Sequence, residues 1–65
     1  MNNKQSARWF YEGMREGMRA YAHWRDGVQY VGTTGTTLAQ ALERIDSEEK
    51  QALKVLEDAE RLNHE

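Results

Sequence analysis

The dipeptide Asp26-Gly27 lies between two segments whose side chains favour β-strands. Asp-Gly is among the strongest short hairpin signals, because both central positions of a type I′ turn need a positive φ. Residues 18–25 precede it with strict alternation, which is typical of a half-buried strand, and Val28-Gln-Tyr-Val31 follows it. We therefore predict a β-hairpin over about residues 18–32. A two-residue loop would pair Arg25 with Val28, Trp24 with Gln29, His23 with Tyr30, and Ala22 with Val31.

The segment before the hairpin has the period of an amphipathic helix. Ala7, Phe10 and Met14 recur at three- and four-residue steps, and Met18 extends the stripe. Ser6 is a plausible N-cap and Gly17 a plausible end, because glycine commonly follows the last helical turn. These signals predict a helix over about residues 5–17. Gly13, within that helix, would allow another backbone to approach closely.

A second and longer helical pattern follows a loop at residues 33–36. Leucine and alanine recur at helical spacing over about residues 37–62, and Thr37-Leu-Ala-Gln40 matches a capping box. Asp46-Ser-Glu-Glu49 resembles a second box, and Glu49 stands where the stripe calls for an apolar residue. The helix could break or kink near Asp46. We expect instead that it continues to about Leu62.

These elements predict an α+β fold of helix, hairpin and helix in a single domain over residues 1–65. The alternative is an all-α helical hairpin whose first helix continues through Trp24, since Met14, Met18 and Tyr21 also fit a helical stripe. A purely structural interpretation of the aromatic residues places Phe10 and Trp24 in the core.

The chain is 65 residues long and has no cysteine. A chain this short buries only about 60% of the surface that it exposes when unfolded, and small domains commonly add disulfides, a metal or a partner subunit. We therefore expect a homo-oligomer, most simply a dimer.

Residues 1–32 carry five basic and three acidic side chains, whereas residues 33–65 carry four basic and eight acidic side chains. No apolar run approaches a membrane span or a signal peptide, so we expect a cytoplasmic protein, in its own cell or in the host of a virus.

The sequence gives little support for catalysis. His23 is the only credible general base. A catalytic triad would also need an acid that orients the histidine and a hydroxyl nucleophile within its hydrogen-bond reach, and the sequence indicates neither. We expect His23 to stack on Tyr30 in the hairpin instead. The chain has no cysteine, and its two histidines and its carboxylates do not show the spacing of zinc ligands, so the sequence argues against a zinc site. We therefore predict a protein that is not an enzyme and that has no metal and no cofactor.

The aromatic residues all lie in the first half of the chain, among its arginines. Arginine, tyrosine and tryptophan together are typical of interface hot spots. We therefore predict a small interaction protein that self-associates and binds a protein partner, as a regulator or an inhibitor, with phage-encoded proteins among the examples of that kind. The residues assigned to partner binding are Trp9, Tyr11, Arg15, Arg19, Tyr21, His23 and Arg25. Nucleic-acid binding is a third hypothesis, which the acidic net charge disfavours.

The segment Gly32-Thr-Thr-Gly-Thr-Thr37 supports an alternative function. Backbone N–H groups at a helix N-terminus can bind an anion, and threonine hydroxyls would add donors. The alternative is therefore a protein that binds or sequesters a nucleotide or other anion. The residues assigned to this site are Thr33, Thr34, Gly35, Thr36 and Thr37. The segment lacks the lysine of a Walker loop and the glycine spacing of a Rossmann motif.

Residues 26–42, DGVQYVGTTGTTLAQAL, resemble the strand, turn and helix segment of HicB-type antitoxin domains. The resemblance covers about a quarter of the chain. It rests on Gly35, Thr37, Leu38, Ala41 and Leu42. It implies that the helix packs on a small sheet. The leading helix and the lack of a third predicted strand depart from the family's pattern, and we assign no membership.

Overall fold

The computed structural model describes residues 2–63 as two helices and three strands. In chain order these are α1 (Asn3–Tyr21), β1 (His23–Arg25), β2 (Val28–Val31), β3 (Thr36–Thr37) and α2 (Leu38–Asn63). The strands form one antiparallel sheet in the order β1-β2-β3. The predicted α+β class is confirmed. The all-α alternative is wrong, because the residues around Asp26-Gly27 form strands.

Helix α1 begins earlier than the sequence predicts. Asn2, and not Ser6, is the N-cap, and its side chain accepts a hydrogen bond from the backbone N–H of Gln5 at 2.8 Å. Asparagine satisfies the first N–H groups of a helix as well as serine does. Ser6 lies within the first turns of the helix, where its N–H donates to the carbonyl of Asn2.

Helix α1 also ends later than predicted. Gly17 lacks the positive φ of a helix-ending glycine, and the helix continues to Tyr21. The strand predicted over residues 18–21 is therefore wrong. Met18 fits a period of two as well as a period of 3.6, and it lines a groove with Ile45 of α2. Packing of this kind outweighs the low helix propensity of one glycine.

The hairpin forms with the predicted turn and nearly the predicted register. Asp26 and Gly27 have φ values of 52° and 80°, as a type I′ turn requires. Three of the four predicted pairs are present, including His23 opposite Tyr30. The fourth is not, because Ala22 is the C-cap of α1, where its N–H donates to the carbonyl of Arg19.

The segment after β2 contains a short strand that we did not predict. Gly32 and Gly35 turn the chain with positive φ, and β3 then pairs with β2. The predicted loop over residues 33–36 therefore ends one residue early. Helix α2 runs without a break past Asp46, close to its predicted bounds. It packs against β2 and β3, as the family resemblance implies, and along α1.

The chain is elongated and has a small core. Among residues 2–62, only Ala41 and Ile45 are buried. The radius of gyration is 15.3 Å, whereas a compact chain of this length would have about 11 Å. Phe10 and Trp24, both predicted to be core, are 63% and 69% exposed. The two side chains lie outside the contact between α1 and α2, so only the surface of another molecule could bury them.

Candidate functional site

Three large aromatic side chains lie on the side of α1 that faces away from α2. Trp9, Phe10 and Tyr21 are 56%, 63% and 83% exposed. At about 100° per residue, they share an arc of about 120° with three small residues. We call this set the exposed α1 face: Trp9, Phe10, Gly13, Gly17, Ala20 and Tyr21. A Cβ placed on either glycine would meet no heavy atom within 4 Å among the described residues, so the backbone is open to an approaching surface.

The opposite side of α1 is held against α2 by charged side chains. Arg15 donates from Nε to Oδ1 of Asp46 at 2.9 Å, and its Nη2 pairs with Glu49. The hydrogen bonds to Glu49 and Asp46 raise the pKa of Arg15 above the ordinary guanidinium value. Near the other end of the contact between α1 and α2, Lys4 pairs with Glu57 and Glu60 at 3.7 and 3.3 Å. These contacts orient the exposed α1 face outwards.

A cluster of aromatic and basic side chains lies on one face of the hairpin. Side chains alternate along a strand, so His23 and Arg25 share the face opposite to Trp24. The His23 and Tyr30 rings stack with centroids 6.3 Å apart, as predicted. The guanidinium carbon of Arg25 lies 4.8 Å from the centroid of the same Tyr30 ring. We call these three residues the hairpin cluster.

The hairpin cluster borders a shallow cavity of about 300 Å³. Gly32, Thr33 and Gly35 complete its lining, so one end of the segment 32–37, which we call the Gly-Thr loop, lies beside the cluster. Among the described residues, none that lines this cavity carries a carboxylate. No ion pair within residues 2–63 includes Arg25. The cavity therefore combines a cation with hydroxyl groups from two elements.

The rest of the Gly-Thr loop points elsewhere. Thr37 and Gln40 form the predicted capping box: each backbone N–H donates to the other's side-chain oxygen at 3.1 Å. The Thr37 hydroxyl and the Gln40 N–H are therefore engaged within the helix terminus. Thr34 and Thr36 lie 3.3 Å apart, oxygen to oxygen, and line a groove of about 540 Å³ between α1 and α2. The five residues assigned to the anion site do not converge on one point.

The seven residues assigned to partner binding lie in three places. Trp9 and Tyr21 belong to the exposed α1 face, and His23 and Arg25 to the hairpin cluster. Arg19 is exposed in the last turn of α1. The remaining two, Tyr11 and Arg15, lie on the α2 side of the helix.

Tyr11 takes the place in the packed stripe that we assigned to Phe10. Tyr11 is half-buried, and the exposed Phe10 ring lies nearly perpendicular to the Tyr11 ring, with centroids 5.2 Å apart. The spacing of Ala7, Tyr11 and Met18, at steps of four and seven residues, is the signal that could have identified this arrangement.

Among residues 2–63 no helix is long and apolar enough to cross a membrane. The same part of the chain contains no cluster of three or more histidine or acidic side chains suited to a metal ion. Comparisons with protein families, with characterised proteins and with solved structures found no match to this chain.

Proposed function

We propose that this chain is a self-associating interaction module in which the exposed α1 face binds the same face of a second copy. The observation that carries the proposal is the exposure of Trp9, Phe10 and Tyr21 on one helix face. Large apolar side chains exposed together on one face mark interaction sites in proteins. The small core and elongated shape support it too, because association would supply burial that the single chain lacks.

The area available on this face is of the right order for a dimer. At about 150–250 Å² for each aromatic side chain, the exposed parts of Trp9, Phe10 and Tyr21 amount to roughly 300–500 Å² per copy. A standard interface buries about 800 Å² per partner. Gly13, Gly17 and the other small residues between the aromatic rings would supply part of the remainder.

The order of residues on this face suits an antiparallel pair. Gly13 and Gly17 lie equally far from position 15, and so do Phe10 and Ala20, and Trp9 and Tyr21. A two-fold axis at that level would set Gly13 against the partner's Gly17 and Phe10 against the partner's Ala20. Phe10 would then meet a small residue, Trp9 would meet the partner's Tyr21, and the backbones would approach closely at the glycines.

Cysteine cross-linking tests the pairing directly, because the chain has no cysteine of its own. A disulfide needs Cα atoms within about 7 Å. In the antiparallel pair, position 13 meets the partner's position 17. The two copies of position 13 are shifted by about 6 Å along the helix axis, in addition to the distance between the two helices. Mixing the Gly13→Cys and Gly17→Cys variants should therefore give a cross-linked dimer, and neither variant alone should.

Two results would oppose this proposal. Cross-linking between two copies of the Gly13→Cys variant would indicate parallel helices. If the Gly13→Cys and Gly17→Cys mixture cross-links no faster than Val55→Cys, an exposed position on α2, the cross-linking reflects random collision. Sedimentation across a range of concentrations gives a second measurement. The double variant Trp9→Ala, Tyr21→Ala should be monomeric where the parent is dimeric, while the matched variant Val55→Ala, Leu62→Ala should dimerise like the parent.

A different protein partner, and a role as regulator or inhibitor, remain predictions from composition. Arg19 and Tyr21 are both exposed in the last turn of α1, where a partner could reach them. Viral origin, cytoplasmic location and the absence of catalysis likewise remain predictions from the sequence.

A further inference from the structure

We propose that the cavity beside the hairpin cluster binds the phosphate group of a small organic phosphate. The site uses no residue of the exposed α1 face. It differs from the anion site expected at the start of α2, because the capping box engages donors of that terminus. Its ligand-binding groups are the guanidinium of Arg25, the imidazole of His23 and the hydroxyls of Tyr30 and Thr33.

The position of Arg25 favours an anion. Its guanidinium carbon lies 4.8 Å from the centre of the Tyr30 ring, so the ring restrains the side chain through a cation–π contact. A guanidinium that uses its face for such a contact keeps its N–H edge for a planar or tetrahedral anion. Within residues 2–63 no carboxylate forms an ion pair with Arg25 or lines the cavity, so an arriving phosphate meets no competing anion there.

The size and lining of the cavity favour a phosphate that carries a ring. A volume of about 300 Å³ exceeds the space that a phosphate group needs and lies at the lower end for small-molecule sites. The stacked rings of His23 and Tyr30 form an aromatic surface beside Arg25. A nucleoside monophosphate would place its phosphate between Arg25 and Thr33 and its base along these rings.

Nuclear magnetic resonance titration of the full chain tests the site with three probes: inorganic phosphate, adenosine monophosphate and adenosine. Adenosine monophosphate should shift the backbone amide signals of residues 23–25, 30 and 32–35, and inorganic phosphate should shift the same signals at higher concentration. Adenosine, which lacks the phosphate, should shift them far less at the same concentration. Signals that move instead at Thr37 and Gln40 would return the site to the helix N-terminus and overturn this assignment.

Two variants separate a built site from general attraction to positive charge. Arg25→Ala should weaken the binding of adenosine monophosphate about tenfold or more, because it removes charge-assisted hydrogen bonds. Arg8→Ala, an exposed arginine on α1, should leave the affinity unchanged. Equal losses in the two variants would overturn the proposal.

Because Arg25 also contacts Tyr30, its removal could disturb the hairpin. Thr33→Ala is therefore the second test, since Thr33 lies outside the strands and makes no hydrogen bond through its side chain within residues 2–63. This variant should weaken binding several-fold while the remaining amide signals keep their positions. Unchanged affinity in Thr33→Ala would exclude the loop from the site and contradict the proposal.

Discussion

Arg15 of α1 donates a hydrogen bond from Nε to Oδ1 of Asp46 on α2 at 2.9 Å. Its Nη2 pairs with Glu49, and its side chain is only 13% exposed. The contact explains why an acidic residue stands in the apolar stripe of α2: Glu49 receives a guanidinium from the facing helix. A residue that the composition assigned to partner binding therefore joins the two helices.

We expect Arg15→Ala to lower the melting temperature by a few degrees. The substitution leaves Glu49, which is half-buried, without its cation, and it removes the packing of a long side chain. Thermal unfolding followed by circular dichroism measures the effect. Arg8→Ala removes the same charge from an exposed position and should leave the melting temperature unchanged; equal losses would show that net charge, and not this contact, matters.

The pKa of Arg15 determines the sign of the pH dependence. Because its pKa is raised in the folded chain, the stability that Arg15 contributes is fully present below the unfolded pKa and is lost only above the folded one. The difference between Arg15→Ala and the parent should therefore stay constant from neutral to alkaline pH. A difference that declines over this range would mean that another group carries the contact.

Ile45→Ala should be among the most destabilising substitutions in the chain. Ile45 is 3% exposed and lies where α1, α2 and the Gly-Thr loop border one groove. Removing a buried isoleucine side chain costs about 2–5 kcal/mol of unfolding free energy, from lost burial and from the cavity left behind. Urea unfolding measures it. Val55→Ala, at an exposed site, should cost less than about 0.5 kcal/mol, and similar costs at both positions would contradict this core.

Thr37→Ala should destabilise the chain by about 1 kcal/mol through loss of the N-cap of α2. The Thr37 hydroxyl accepts from the backbone N–H of Gln40, and the Gln40 side chain accepts from that of Thr37. Urea unfolding again provides the measurement. Thr33→Ala is the matched control and should have no measurable effect on stability. If the two threonines behave alike, the capping box does not stabilise α2.

The features predicted correctly from the sequence depend on residues close together in the chain. The Asp26-Gly27 turn sets the hairpin register, because the positive φ values are a property of those two residues. The Thr37–Gln40 box is likewise complete within a single helical turn. Helix α2 follows from a long apolar period that no other element is needed to recognise.

The features that the sequence did not predict depend on contacts between distant segments. Met18 fits a strand and a helix equally well, and only the groove against Ile45 favours the helix that continues to Tyr21. The arginines look alike in the sequence, yet Arg15 lies against α2 and Arg25 over Tyr30.

By itself, then, the sequence determined the turn, the cap and the long helix, because short-range backbone geometry and hydrogen bonding specify them. The tertiary structure decided the end of α1, the third strand, and which aromatic and basic side chains remain exposed. Those outcomes depend on which surfaces meet across the fold, and the same apolar period is compatible with more than one such arrangement.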